Sequence, residues 1–227
     1  MAIDVNGNNL AIADSDGAVK IIRLPDLLVV AEFTKDKLDT PTAIALSPDG
    51  KLLAVANQRH IVFIFDLTLG SEVNSLEGHT LQINSLAFSP SGRYVISAGL
   101  DKTVRIWDVS VRQKTPKLLV GHSAGVLHAK LDSTDTLALT ASADKTSRLW
   151  DVGTGQEISR LNGSDRSILL SRFTADENRI LAVSEDGTIR TYAKTLNDLL
   201  KLAQQRVTRG LFCKERVQFL FEQLKCP

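Results

Sequence analysis

Apolar residues in this chain fall in short runs, and many of the runs alternate with polar positions. "VKIIRL", "IVFIFDL", "VRIWDV", "SRLWDV" and "IRTYA" are the clearest examples. Period-two alternation rich in β-branched and aromatic residues predicts strands rather than helices. A more continuous run precedes each of them, such as "LLAVAN", "YVISAG", "LALTAS" or "ILAVSE". Before that run come stretches like "TAIALSPDG" and "NSLAFSPSG", whose Pro and Gly set up a reversal. A fourth stretch closes the unit: "LVVAEF", "SEVNSLEGH", "KLLVGH" and "EISRLNG". Tight "DG" or "DK" turns lead into the alternating runs.

The whole arrangement recurs. Trp150 lies 43 residues after Trp107, and Tyr192 lies 42 after that. Phe65 stands 42 before Trp107, and Ile22 stands 43 before Phe65. Six residues ahead of these markers stand Asp16, Arg59, Asp101, Asp144 and Asp186. Five copies of a unit of about 42 residues match the period of a four-stranded propeller blade. One small sheet cannot bury both of its faces, whereas sheets stacked face to face around an axis can. The expected fold is all-β, a β-propeller of five repeats over residues 1–195. Two architectures satisfy the pattern: a free-standing five-bladed ring, or the C-terminal part of a larger ring, which the unmatched ends favour. After residue 195 the pattern changes. "TLNDLLKLAQQRV" and "KERVQFLFEQL" have helical spacing, so residues 196–227 are expected to form a helical tail.

Composition narrows the function. The net charge is +1, too small to gather nucleic acid or an anionic membrane over long range. No apolar run approaches the roughly 20 residues of a membrane span, and "MAIDVNGNNLAIAD" lacks the regions of a signal peptide. Cys213 and Cys226 form neither a disulfide framework nor a zinc pattern, which fits a cytoplasmic location. There is no phosphate loop, no HExxH and no CxxC, so neither cofactor nor metal is expected. His60 and His128 stand isolated.

The dipeptides "GH" at 78–79 and 121–122 and "WD" at 107–108 and 150–151 make the chain resemble the WD-repeat family. The resemblance implies a hydrogen-bonded brace in two units. His79, Ser97, Asp101 and Trp107 would form one, and His122, Thr140, Asp144 and Trp150 the other. Each set contains Ser or Thr, His and Asp, as a hydrolytic triad does. A triad needs an exposed nucleophile beside an oxyanion hole, and an enzyme rarely needs it twice. The other three units depart from the pattern and are expected to rely on apolar packing. Residues 199–211, "LLKLAQQRVTRGL", and the final "CP" resemble the end of large bacterial WD-repeat proteins with a STAND or NB-ARC-type NTPase module.

Propellers of this kind imply a binding rim made by the turns between second and third strands and the loops leading into first strands. Arg59, Lys102, Lys145 and Glu185 would occupy the turns, and Gln82 and Arg166 the loops. Lys130 and Arg172 take a first-strand position that holds Ala45 and Ala87 elsewhere. The function expected is a non-catalytic scaffold or sensor that binds other proteins, with further blades or effector domains on a longer chain. The alternative is a hydrolase at the channel mouth, for which Asp4 and Asp132 are the first-strand acids.

Overall fold

In the computed structural model, which describes residues 1–194 except 5, 15–16, 34–37 and 112–114, nineteen strands form in the order the alternation predicts. Unit 1 holds β1 (Ala2–Ile3), β2 (Asn9–Ala13), β3 (Val19–Arg23) and β4 (Leu28–Phe33). Unit 2 holds β5 (Pro41–Leu46), β6 (Leu52–Asn57), β7 (Val62–Asp66) and β8 (Ser71–Leu76). Unit 3 holds β9 (Ile83–Phe88), β10 (Tyr94–Gly99), β11 (Thr103–Asp108) and β12 (Lys117–Val120). Unit 4 holds β13 (Val126–Leu131), β14 (Leu137–Ser142), β15 (Ser147–Asp151) and β16 (Glu157–Leu161). Unit 5 holds β17 (Ile168–Phe173), β18 (Arg179–Ser184) and β19 (Ile189–Ala193). Each unit is its own sheet with the strands in chain order, four-stranded in the first four and three-stranded in the fifth. The fold is thus an all-β propeller architecture.

The sheets stack face to face. β1 packs on β5, β5 on β9, β9 on β13 and β13 on β17. Among the described residues no comparable contact joins β17 back to β1, so the five blades make an open arc. Apolar clusters fill each seam. Phe33, Leu53 and Phe65 lie between units 1 and 2, and Leu76, Val95 and Trp107 between units 2 and 3. Ile106, Leu119 and Trp150 lie between units 3 and 4. Leu139, Leu149 and Ile180 lie between units 4 and 5.

Burial follows from position in the stack. β6, β10 and β14 sit between two neighbouring sheets, so five consecutive residues of each are buried. Their sequences therefore read as continuous apolar or small runs rather than alternating ones. β18 has a similar sequence, yet only Ile180, Ala182 and Ser184 are buried, because among the described residues one face alone meets a neighbour. The reversals after the first strands share one device. Ser47, Ser89, Asp132 and Thr174 each turn a side-chain oxygen back onto backbone N–H groups four or five residues on. Asp4 does the same in unit 1.

The chain divides into two compact units, Met1–Tyr192 and Ala193–Pro227. The helical reading of 196–227, and Cys213 and Cys226 with it, lies outside the described residues.

Candidate functional site: two braces beneath an exposed rim

The two braces begin in the connections that leave the outermost strands. After β8 the chain leaves the outer edge of unit 2 and crosses to β9, the innermost strand of unit 3. His79 sits in that crossing. Its Nδ1 lies 2.8 Å from the Asp101 carboxylate and its Nε2 lies 2.9 Å from the Ser97 hydroxyl, which also accepts from Trp107 Nε1–H at 2.9 Å. A carboxylate can only accept, so Nδ1 carries the proton and Nε2 accepts from Ser97. The result is one directed chain from Trp107 through Ser97 and His79 to Asp101. In the next unit His122 Nδ1 lies 2.7 Å from Asp144, its Nε2 lies 2.7 Å from the Thr140 hydroxyl, and Trp150 Nε1–H donates to Thr140 at 2.9 Å.

Both His side chains are 1% exposed. Burial disfavours their charged form, and this outweighs the neighbouring aspartates and holds both imidazoles below their ordinary pKa. Burial alone would raise Asp101. The Thr103 hydroxyl, the His79 ring and the Thr80 N–H overcome it and hold the carboxyl below its usual range. Asp144 is held lower still, by the Thr146 hydroxyl, His122 and the Ser123 N–H. Each hydroxyl that would serve as a nucleophile is sealed. Ser97 and Thr140 are 0% exposed and already bonded to His and Trp, so neither set meets a substrate. Each network spans two blades, tying the crossing out of one sheet to the second and third strands of the next.

One member of this cluster was missed in the sequence. Arg148 is 3% exposed and pairs with Asp144 at 3.2 Å and with Glu157 at 2.7 Å. Its signal was the repetition of Arg two residues before the marker aromatic, at Arg105, Arg148 and Arg190. The guanidinium also explains the glycine of "GH". A Cβ on Gly121 would stand 2.9 Å from Arg148 and 3.1 Å from the Trp150 ring.

The remaining units replace the brace in different ways. In unit 2 Leu38, Val55 and Phe65 are fully buried with Phe33, whose ring centroid is 4.6 Å from that of Phe65. Arg59 points outward instead and pairs with Asp39 at 3.0 Å. Unit 5 is not purely apolar as expected. The Tyr192 hydroxyl donates to the Asn162 carbonyl at 2.8 Å, and the Ser164 hydroxyl meets Ser184 at 2.8 Å. These contacts take the place of the missing imidazole and indole. In unit 1 Ile12 and Ile22 are half-buried. Asp16 lies outside the described residues.

The candidate rim residues Arg59, Gln82, Lys102, Lys145, Arg166 and Glu185 are all exposed. Backbone bonds bring turn and lead-in loop together within a blade. Leu100 N–H donates to the Gln82 carbonyl at 2.8 Å, two residues before Lys102. In unit 5 Glu185 N–H donates to Ser167, beside Arg166, at 2.9 Å. Units 3 and 4 touch here as well, because a Cβ on Gly125 would come within 2.8 Å of Leu100. Lys102 and Lys145 stand out by conformation, with φ of 68° and 70°. Gly17 and Gly187 fill the same turn position in units 1 and 5. His60 takes it in unit 2, with φ of 66°. An L-residue there costs free energy that glycine does not.

The acids weighed for a hydrolase have other work. Asp4 and Asp132 are buried, and both carboxylates accept N–H donors of their own turns. Among the described residues no three His, Cys, Asp or Glu side chains converge as metal ligands, and no helix is long and apolar enough to cross a membrane.

Comparison with known proteins agrees with this geometry. Residues 70–108 and 113–151 match the WD domain, G-beta repeat family. Each match covers the outermost strand of one sheet and the three inner strands of the next, so each contains one complete brace. The chain is 48% identical over 107 residues to an uncharacterized WD repeat-containing protein of Synechocystis, covering 47% of this chain and 30% of that protein. It is 31% identical over 124 residues to WD repeat-containing protein 1 of Rattus norvegicus, covering 54% of this chain and 20% of the relative. Nuclear distribution protein PAC1 of Arthroderma otae is 38% identical over 74 residues, with 32% and 16% covered. The chain thus spans less than a third of the length of each of these relatives. The third and fourth units thus match the WD repeat in sequence as well as in strand order.

Proposed function

We propose that the chain is a non-catalytic platform that binds other proteins through the rim made by its β2–β3-type turns and lead-in loops. The observation that carries this reading is the left-handed backbone of Lys102 and Lys145. Two cations stand exposed at successive blades in a conformation that glycine adopts more cheaply, and glycine does occupy the position in two other units. Strain retained at an exposed position points to a role for the side chain. The braces serve this platform by fixing the turns, since Asp101 and Asp144 each begin one of them. WD-repeat relatives support an interaction scaffold in general terms.

The wider setting we propose is the cytoplasmic, C-terminal arm of a longer bacterial regulatory chain, with further blades or effector domains beyond these five. The half-covered outer face of β18 and the exposed Ile189 suit an additional neighbour, and the Synechocystis relative is much longer than the match.

The test is the double substitution Lys102→Gly and Lys145→Gly. It should stabilise the chain by about 1 kcal/mol per site, read as a higher midpoint in urea, by relieving the positive φ. It should also weaken capture of partners from the native host relative to the wild-type chain. Unchanged capture by the double variant would remove the rim from the reading.

A further inference from the structure

The next-to-last residue of the first strand is small in three units and cationic in two. Ala2, Ala45 and Ala87 hold this register in units 1 to 3, and Lys130 and Arg172 hold it in units 4 and 5. Lys130 is half-buried. Among the described residues neither cation has a carboxylate partner or a hydrogen bond. They line one groove of about 240 Å³, together with Pro90, Ser133, Phe173 and Glu177. Glu177 turns a carboxylate oxygen to the Ser133 N–H at 2.8 Å. On the same strand, two residues before Lys130, stands His128, whose buried Nδ1 has no hydrogen-bond partner.

This is an unfavourable arrangement for an empty groove. A desolvated ammonium costs free energy unless paired, and a second cation beside it adds repulsion. Both effects push the Lys130 ammonium below its ordinary pKa, and the two cations together with burial push His128 down to about 4. An anion placed between them would reverse every one of these penalties. Two unpaired cations from adjacent blades, walled by Pro90 and Phe173, form charge-assisted donors converging on one small volume.

We infer that the groove between units 4 and 5 binds a small phosphate-class oxyanion, held by the Lys130 ammonium and the Arg172 guanidinium. This site is separate from the rim and does not depend on the rim's role. A dianion answers two cations, whereas a single carboxylate answers one, so phosphate should be preferred over acetate.

The experiment is calorimetric titration of the full chain with inorganic phosphate and, at matched ionic strength, with acetate. Wild-type chain should bind phosphate and prefer it at least tenfold over acetate. Lys130→Ala and Arg172→Ala should each weaken phosphate by about tenfold or more, the cost of one charge-assisted hydrogen bond. Both variants should fold, because alanine already fills this register in three units. Lys130→Ala should melt no lower than wild type in the absence of phosphate. His128 gives a second readout: its pKa, followed by imidazole NMR, should rise when phosphate binds. Absent phosphate binding, equal binding of acetate, undiminished binding by either variant, or an unmoved His128 in the phosphate-bound chain would each overturn the inference.

Discussion

Asp144→Ala should be the most destabilising single change in the two braces, costing about 3–5 kcal/mol, and should exceed Asp101→Ala. The carboxylate of Asp144 accepts from the His122 ring, the Ser123 N–H, and the Thr146 N–H and hydroxyl. Asp101 has the matching set in His79, Thr80 and Thr103. Up to that point the two substitutions strand equivalent donors. The difference is Arg148, which is 3% exposed and shares its charge between Asp144 and Glu157. Without Asp144 that buried guanidinium keeps a single, more exposed carboxylate. Breaking one arm of a buried charge cluster is expensive because the survivor cannot reach water. Asp101→Ala should cost about 2 kcal/mol, since it leaves buried donors unmet but strands no ion-paired cation. Urea unfolding of both variants beside wild type checks the order. Equal losses would show that Arg148 adds nothing. A stability unchanged by Asp101→Ala, together with lost partner binding, would show that the set is not a brace at all.

The same residues show how far the sequence could be read. The spacing between Trp107 and Trp150 and the alternation around them were enough to place the strands, since side-chain period and turn chemistry are local properties. The members of the braces came from the resemblance to the WD-repeat family, carried onto this chain by position in the repeat. What local pattern could not carry is which sheet each member serves. "GH" looks like the end of a fourth strand, yet His79 works for the following blade, because the chain changes sheets just there. The burial of Arg148 was hidden for a related reason, although the repeated Arg marked its position. A charged residue in an alternating strand reads as solvent-facing, and only the juxtaposition of Glu157 from the next strand makes its burial tolerable. The fates of Asp4 and Asp132 depend on which N–H groups lie within reach, a matter of turn geometry. β14 and β18 are also both runs of mostly apolar and small residues, "LALTAS" and "RILAVS", yet they are covered to different extents. Burial there is set by whether a neighbouring sheet is present. No pattern within the strand records that.

Acidification should unfold the protein in two stages, the first set by histidines and the second by aspartates. His128 titrates at about 4 in the fold because burial and the nearby Arg172 and Lys130 oppose its charge. An unfolded His titrates near about 6.5. As pH falls below that value, the unfolded chain takes up a proton that the folded chain refuses, so stability falls until the folded imidazole is protonated as well. A displacement of this size corresponds to as much as about 3 kcal/mol lost between neutral pH and pH ~4. His79 and His122 are also held below their ordinary range, and act in the same direction. Asp101 and Asp144 come later. Their carboxyls are depressed in the fold, so their contribution is intact above the ordinary carboxylate range and is lost as pH drops below it. Urea unfolding across pH 7.5 to 3.5, in phosphate-free buffer, should show the first decline well above the carboxylate range. His128→Ser, which installs the residue that unit 3 carries at the same register, should remove a large part of that decline and leave the second stage in place. Lys130→Ala should soften the first stage too, because it removes one of the two charges that hold the imidazole neutral. If His128→Ser leaves the profile unchanged while the wild-type chain still weakens above pH 5, the two brace histidines carry the whole effect. In that case the cations of units 4 and 5 are screened from His128 by solvent.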